Sequence, residues 1–188
     1  MNSSELRAEL ERLHPESYGW ALGCCFRNPG EAESVLQTVY LKVLEGKARF
    51  DGKAKFKTWL FSVIRNTAAD RRRRSILQRM GLTRYENYVP AGSSADEPEQ
   101  AVYRSEVQVR LVQALDRLPE RQRQALQLAF YHDLSLEEAA RVMNVSIGSA
   151  RTHYERGKKR LRQLMTESGV FDDSESGRTK AQSVIPRS

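Results

Sequence analysis

Two short amphipathic patterns separated by a tight turn, between Leu134 and Leu164, constrain the fold of this chain more than any other feature. Ser135 followed by Glu138 has the pattern of a capping box, which predicts that a helix begins at Ser135. Asn144 follows, a residue that tolerates the left-handed backbone of a sharp turn. Ser146 is a favourable N-cap for a second helix. The stretch therefore predicts a helix-turn-helix, a unit that fits the DNA major groove.

The two helices place apolar residues at helical spacing and leave cations on the other side. The first apolar stripe is Leu136, Ala139, Ala140 and Met143, and the second is Ala150, Tyr154, Gly157, Leu161 and Leu164. The residues predicted to point outward are Ser149, Arg151, Thr152, His153, Arg156 and Lys158. Six cations oppose one anion on the second helix: Arg151, Arg156, Lys158, Lys159, Arg160 and Arg162 against Glu155. Charge runs are also typical of a solvated helix in a bundle, but the tight turn and this asymmetry favour DNA.

Length and charge set the class of protein. With 188 residues the chain has room for one or two small domains. The net charge of +7 and the pI near 9.6 favour an acidic polymer as partner. No stretch approaches the ~18 to 20 consecutive apolar residues of a membrane span, and the charged N-terminus lacks the apolar core of a signal peptide. We expect a cytoplasmic protein with no direct membrane insertion.

The sequence shows no recognisable set of catalytic residues. The cysteines are the adjacent pair Cys24 and Cys25, and the three histidines are scattered. Two neighbouring thiols make a strained disulfide and a poor metal site, so they are expected to be small buried residues, with a redox sensor as the minor alternative. No nucleophile–base constellation or phosphate-binding glycine loop is evident. We therefore expect no enzyme, no metal and no cofactor.

Nearly the whole chain has helical periodicity. Helices are predicted near 3–13, 16–26, 30–45, 54–79, 98–116, 119–131, 135–143 and 146–166. Between Gly81 and Pro98 the sequence is rich in Pro, Gly, Ser and acidic residues, which is typical of a linker. The predicted fold class is all-α, with two small helical domains joined by a flexible acidic linker. The predicted divisions are a first domain 1–79, a linker 80–97, a helix-turn-helix domain 98–166 and a disordered tail 167–188.

The first domain contains a second basic feature. A short loop containing Lys53, Ala54, Lys55 and Phe56 leads into a helix that continues through Trp59 and ends at Arg71, Arg72, Arg73 and Arg74. Lysines neutralise phosphates and aromatic rings can stack on exposed bases. Trp59 is expected to pack inside, whereas the four arginines wrap around all faces of the helix and are expected to bind phosphate. This half therefore predicts binding of single-stranded nucleic acid.

In this order, the segments resemble an extracytoplasmic-function (ECF) sigma factor, from about Leu6 to Met165. The stretch NPGEAESVLQTVYLKVLEG resembles the polymerase-binding helix of that family, and FDGKAKFKTWLFSVIRNTAADRRRR resembles its −10 recognition segment. The stretch RLPERQRQALQLAFYHDLSLEEAARVMNVSIGSARTHYERGKKRLRQL resembles the region that reads the −35 element. The larger primary sigma factors have a further domain where this chain has only the linker.

The resemblance implies roles for particular residues. Asn66 corresponds to an asparagine beside the pocket for a flipped-out −10 base, and the loop 53–56 shapes that pocket. Arg151 or Arg156 would pair with guanine in the −35 groove. The implied −35 set is Ser146, Ser149, Arg151, Thr152, His153, Arg156 and Lys158. The implied −10 set is Lys53, Ala54, Lys55, Phe56, Asn66, Arg71, Arg72, Arg73 and Arg74. The implied polymerase-binding set is Glu33, Gln37, Leu41 and Lys42.

The sequence departs from the family at a few positions. Ser34 and Thr38 stand in the polymerase-facing segment where acidic residues are common. His153 stands where an arginine is common, which suggests an altered −35 preference. Tyr154 replaces a more usual leucine, which indicates a change in packing.

The resemblance implies a chain that binds core RNA polymerase and promoter DNA, as duplex at −35 and single strand at −10. It also implies an anti-sigma factor as partner, and a linker that either mimics nucleic acid in the polymerase channel or is a plain tether. The alternative is a stand-alone helix-turn-helix regulator that binds duplex operators. A protein-interaction adaptor whose basic faces are only surface is a further alternative.

Overall fold

The computed structural model describes residues 3–80 and 106–167. Within those ranges the regular elements are helical and no strand occurs, which confirms the predicted all-α class. The helices are α1 (Ser3–Arg12), α2 (His14–Cys24), α3 (Pro29–Leu44), α4 (Phe56–Arg79), α5 (Glu106–Asp116), α6 (Glu120–Leu126), α7 (Leu136–Met143) and α8 (Ile147–Glu167). A π-helical turn, Gln127–Tyr131, continues α6. The predicted linker and tail lie outside the described residues apart from Met80 and Glu167, which close α4 and α8.

Local hydrogen bonds explain where the helix-turn-helix begins and turns. The Ser135 hydroxyl accepts from the Glu138 amide at 3.2 Å, and the Glu138 carboxylate accepts from the Ser135 amide at 2.9 Å. Asn144 ends α7 with a left-handed φ of 52°. The Ser146 hydroxyl then accepts from the Ser149 amide at 3.1 Å at the start of α8. The predicted capping box, turn and second N-cap are all confirmed.

One hydrophobic core runs through both halves of the chain. Its centre is Trp20, which is fully buried, donates its indole N–H to the Phe61 carbonyl at 3.0 Å and stacks on the Phe61 ring. Helix α4 also packs against α7 of the helix-turn-helix. The residues that the second half contributes to this core are Ala125, Leu128, Leu134, Ala139, Val142 and Met143. The two halves are therefore closed onto each other.

A second, smaller apolar cluster holds α5, α6 and α8 together. It contains Leu115, Leu118, Leu126 and Leu164. Gly157 allows the close approach of α8 to α6, because a Cβ there would lie 3.2 Å from both the Gln122 carbonyl oxygen and the Leu126 side chain. This cluster fixes the direction in which the outer face of α8 points.

Among the described residues, no helix combines the length and the apolar content needed to cross a membrane.

Candidate nucleic-acid interface

The outer face of α8 is an exposed basic surface. Its exposed members are Ser149, Arg151, Thr152, Arg156 and Lys158, and His153 is half-buried beside them. The opposite face carries the buried residues Ala150, Gly157 and Leu164 together with the half-buried Tyr154 and Leu161. The predicted division of this helix into an inner and an outer face is therefore confirmed. Such a face presents donors to an acidic groove.

The electrostatics around His153 favour its neutral form. Partial burial lowers the pKa of His153, and the neighbouring cations of Arg121 and Arg156 lower it further. A neutral imidazole has one donor and one acceptor nitrogen, whereas an arginine at this position would only donate. A histidine at this position can therefore accept as well as donate a hydrogen bond, which an arginine cannot.

An aromatic cluster lies at the base of the loop before α4. The rings of Phe50, Phe56 and Trp59 lie 5.3 to 5.4 Å apart, and the three side chains are half-buried. Trp59 packs against the core without being enclosed by it, so the expectation that it packs inside is met only in part. Asn66 lies two helical turns further along α4, on the same side as Trp59, and is exposed. Trp59 of the aromatic cluster and Asn66 therefore lie on one side of α4.

The four arginines at the end of α4 differ in their surroundings. Arg71 pairs with Glu31 at 3.5 Å, Arg72 with Glu120 at 3.0 Å and Arg73 with Asp70 at 3.5 Å. The Arg71 side chain is only 23% exposed, against 75% for Arg73. The carboxylates of α3 and α6 that approach Arg71 and Arg72 are distant in sequence and were not anticipated. In this state, Arg73 and Arg74 are the most accessible of the four.

Three of the four predicted polymerase-binding residues share an accessible face of α3, and the fourth, Lys42, is half-buried and directed towards α4. Glu33, Gln37 and Leu41 are exposed, and the Lys42 ammonium lies 3.4 Å from the Thr67 hydroxyl. Leu41 is 58% exposed, and Leu44 on the same helix is 44% exposed. An open groove lined by Arg7, Leu10, Glu11, His14, Tyr40 and Leu44 lies between α1 and α3. The groove combines apolar walls from Leu10 and Leu44 with the charged side chains of Arg7 and Glu11.

His132 lies at the contact between the two halves of the chain, a position that the sequence did not predict. It belongs to the second half of the chain but is buried against the rings of Trp20 and Phe61, with centroids 5.8 and 4.9 Å away and nearly perpendicular planes. Its carbonyl accepts from the Lys57 ammonium at 2.8 Å, and Lys57 also pairs with Glu16. His132 therefore joins the helix-turn-helix half to α2 and α4.

Burial and the Lys57 cation lower the pKa of His132 to about 4, against the opposing effects of Glu16 and Asp133. Because the imidazole titrates near 6.5 in an unfolded chain, its stabilising contribution is complete above that pH and is lost as the pH falls from 6.5 towards 4. We expect the free energy of unfolding to drop by about 1.4 kcal/mol from this group between about pH 7.5 and about pH 5.5. Urea titrations of the wild type and His132→Gln at both pH values measure it. His14 and His153 remain in the variant, so an identical pH dependence of the two proteins would contradict the assignment.

The two cysteines behave as packing residues. Burial raises the pKa of Cys24 and raises that of Cys25 to about 11, so both thiols stay protonated near neutral pH. Cys24 is buried as expected, whereas Cys25 is only half-buried. The raised pKa values argue against a reactive pair. No cluster of three or more metal-ligating side chains occurs within the described ranges.

The sequence of this chain matches two family models and is similar to known sigma factors. The model of Sigma-70 region 2 matches residues 10–76, which include the basic loop and Asn66, and the model of Sigma-70 region 4 matches residues 108–161. The chain is 31% identical over 153 residues to the RNA polymerase sigma-H factor of Pseudomonas aeruginosa, covering 73% of this chain and 77% of that one. It is 29% identical over 155 residues to the ECF RNA polymerase sigma factor SigW of Bacillus subtilis, covering 76% and 81%.

A solved structure has a similar fold. It is the sigma factor RpoE in complex with the anti-sigma factor NepR from Bartonella quintana, with a TM-score of 0.62 and 22% identity. The match covers 86% of this chain and 97% of that one.

Proposed function

This chain belongs to the ECF RNA polymerase sigma factors, and on that premise we propose which of its surfaces bind the −35 element, the −10 element and core RNA polymerase. As a sigma factor it directs promoter-specific transcription initiation. The single observation that carries the proposal is that one chain presents both an exposed basic helix-turn-helix face and an exposed Asn66 beside an aromatic-basic loop. A stand-alone regulator would have no use for the second surface.

The outer face of α8 would read the −35 element in the major groove. Arg151 and Arg156 are exposed on that face and can each pair bidentately with guanine. Ser146 and Ser149 lie at the start of α8, where hydroxyls and amides meet phosphates and fix the register of the helix. Thr152, His153 and Lys158 complete this surface.

The loop and α4 would hold the separated non-template strand at −10. Extruding a base from the duplex costs a few kcal/mol of stacking and pairing. A pocket formed by Asn66 and the loop 53–56 would offset that cost only for the correct base, so that recognition and melting are coupled. The arginines at 71–74 would follow the phosphate backbone.

The α3 face would bind core RNA polymerase through Glu33, Gln37, Leu41 and Lys42. We assign this role to the segment 1–79, the −35 role to the segment 98–166, and a tethering role to residues 80–97. The anti-sigma complex of the Bartonella quintana protein supports an anti-sigma factor as a further partner. We place the chain in the cytoplasm, where the polymerase and the promoter are.

The experiment that tests this function is run-off transcription with purified bacterial core polymerase, with and without this chain, on fragmented genomic DNA of its source. Discrete new start sites that share two upstream motifs are expected, and they would define both promoter elements. No new start sites, together with specific duplex binding by the protein alone, would instead support the stand-alone regulator.

For the −35 surface, we expect Arg151→Ala to lose about 1–3 kcal/mol of discrimination at one base pair of the −35 element. The reason is that a bidentate contact to a base edge carries sequence information, whereas a phosphate contact does not. Binding of the polymerase holoenzyme to a panel of −35 variants measures the loss. Lys159→Ala, which removes an exposed cation of the same helix outside the predicted set, should weaken binding uniformly across the panel. Unchanged discrimination in Arg151→Ala would rule out this contact.

A further inference from the structure

A histidine and an arginine meet beside the outer face of α8, at the point where α8 crosses α6. A Cβ at Gly157 would lie 3.2 Å from the Gln122 carbonyl oxygen, so the two helices are in close contact there. His153 precedes Gly157 by one helical turn on the same side of α8, and Arg121 directly precedes Gln122 on α6. The contact at Gly157 therefore makes His153 and Arg121 neighbours, and the Arg121 cation acts on the His153 ring.

Arg121 is held in place and still has donors available. Its guanidinium donates to the Met143 carbonyl at 3.3 Å, which fixes the side chain at the C-terminal end of α7. A guanidinium has five N–H donors, and within the described ranges no carboxylate forms an ion pair with this one. Arg121 is also exposed. It can therefore bind an anion at the junction of α6, α7 and α8.

The carboxylates on the helices around His153 are paired with other cations. Helices α5, α6 and α7 pack against α8. Glu155, the acidic residue nearest to His153 in sequence, pairs with Lys158 at 3.7 Å. The ion pairs of the packed helices are Asp116 with Arg27, Glu120 with Arg72, Glu137 with Arg141 and Glu138 with Lys55. No carboxylate of the described residues therefore offsets the cations of Arg121 and Arg156, which together with partial burial lower the pKa of His153.

A phosphate at this position would reverse the electrostatics around the ring. A DNA phosphate is an anion that accepts hydrogen bonds, and an anion beside an imidazole favours its charged form. The charged ring has two donor nitrogens, whereas the neutral ring has one. His153 lies next to Thr152, which is exposed on the proposed −35 surface. A duplex bound to that surface would have its backbone beside His153 and Arg121.

We propose that binding of the −35 duplex is coupled to the uptake of one proton from the solvent, which His153 takes up when a backbone phosphate binds between its ring and the Arg121 guanidinium. The proposal rests on the −35 role proposed above for α8. His153 and Arg121 then fix the helix on the backbone, while Arg151 and Arg156 contact base edges. An arginine at position 153 would be charged at every physiological pH. The histidine thus makes the affinity for the promoter depend on pH.

The direction of this dependence follows from the proton count. The bound chain holds a proton that the free chain lacks, so the affinity rises as the pH falls. We expect the wild type to bind about fivefold to tenfold more tightly at about pH 6 than at about pH 8. His132 does not contribute to the gain, because its pKa is lowered to about 4 and its ring stays neutral at both pH values.

The test is the affinity of the polymerase holoenzyme for a duplex that carries the −35 element found in the run-off experiment and a scrambled −10 element. His153→Gln should lose the gain at the lower pH, and His153→Arg should bind tightly at both pH values. Arg121→Gln should reduce the gain, because it removes one of the cations that keep the free ring neutral. His14→Gln is the matched control: it removes an exposed histidine of the first half, which contacts the Tyr40 hydroxyl, and should keep the full gain.

The salt dependence of the same binding identifies the group that His153 contacts. Each phosphate that a protein cation neutralises steepens the plot of log affinity against log salt concentration by about 0.9. The wild-type plot should therefore be steeper by up to about 0.9 at the lower pH. His153→Arg should give the steep plot at both pH values, and His153→Gln should give the shallow plot at both.

A gain at the lower pH that is as large in His153→Gln as in the wild type would overturn proton uptake by His153. A gain that leaves the salt dependence unchanged, and is confined to one base pair among −35 variants, would overturn the phosphate contact and assign His153 to a base edge. Wild-type binding that depends on the −35 element but shows no gain would reject this inference alone. A wild type that starts no transcription in the run-off experiment would reject the sigma-factor role itself.

Discussion

Trp20→Ala should lower the free energy of unfolding by about 3–5 kcal/mol, the largest stability effect we expect from one substitution in this chain. Trp20 is 0% exposed, and its removal leaves a cavity beside Phe61 and His132. It also removes the donor to the Phe61 carbonyl. Urea denaturation followed by far-ultraviolet circular dichroism measures the change.

Two further variants separate the contributions to that loss. Trp20→Phe keeps a ring against Phe61 but removes the indole N–H, so it should cost less than the alanine substitution. Trp59→Ala removes the other tryptophan, which is only half-buried, and should also cost less. A Trp20→Ala protein as stable as Trp59→Ala would show that the shared core is not centred on Trp20.

The helix-turn-helix could be predicted because the interactions that begin and end its helices are local in sequence. The first helix begins at a capping box formed by Ser135 and Glu138 and ends at Asn144, which adopts a left-handed φ. Each of these effects depends on residues only a few positions apart, so it can be predicted from one sequence. The same is true of the outer face of α8, which follows from helical periodicity. The structure confirms both.

The closed arrangement could not be predicted, because it depends on residues distant in sequence. The contact between Arg141 and Lys53 spans 88 positions, and that between Lys57 and His132 spans 75. Nothing in the sequence around His132 distinguishes a surface histidine from one buried against two aromatic rings. The π-helical turn Gln127–Tyr131, just before it, was likewise predicted only as helix.

The assignments of individual residues to promoter elements stand apart from the fold, because no contact within the chain tests them. Exposure is necessary for a DNA contact, and Asn66, Arg151 and Arg156 meet that condition. Arg72 is different, since its carboxylate partner Glu120 belongs to the second half of the chain, whereas Glu31, the partner of Arg71, lies on α3 of the same half. A phosphate contact by Arg72 would therefore require that it leave Glu120, whereas the proposed contact by Arg151 requires no such change.

Asn66→Ala should reduce formation of the open promoter complex roughly tenfold to hundredfold, while the closed complex forms almost as well as with the wild type. An amide that holds an extruded base contributes about 1–3 kcal/mol, because the base loses its partners without it. The −35 contacts proposed for the closed complex lie on α8, which this substitution leaves untouched. Permanganate reactivity of unpaired thymines measures opening, and promoter retention at low temperature measures the closed complex.

Because Asn66 is exposed, its truncation should leave the stability of the fold nearly unchanged, so a defect in opening cannot be attributed to unfolding. Gln78→Ala is the matched control: it removes an exposed amide from the last turn of the same helix, beyond the predicted pocket. Equal losses of open and closed complexes in Asn66→Ala would contradict the assigned role, since a residue that acts only on the separated strand cannot weaken binding to the duplex. A defect in Gln78→Ala as large as that in Asn66→Ala would instead assign the effect to the helix as a whole.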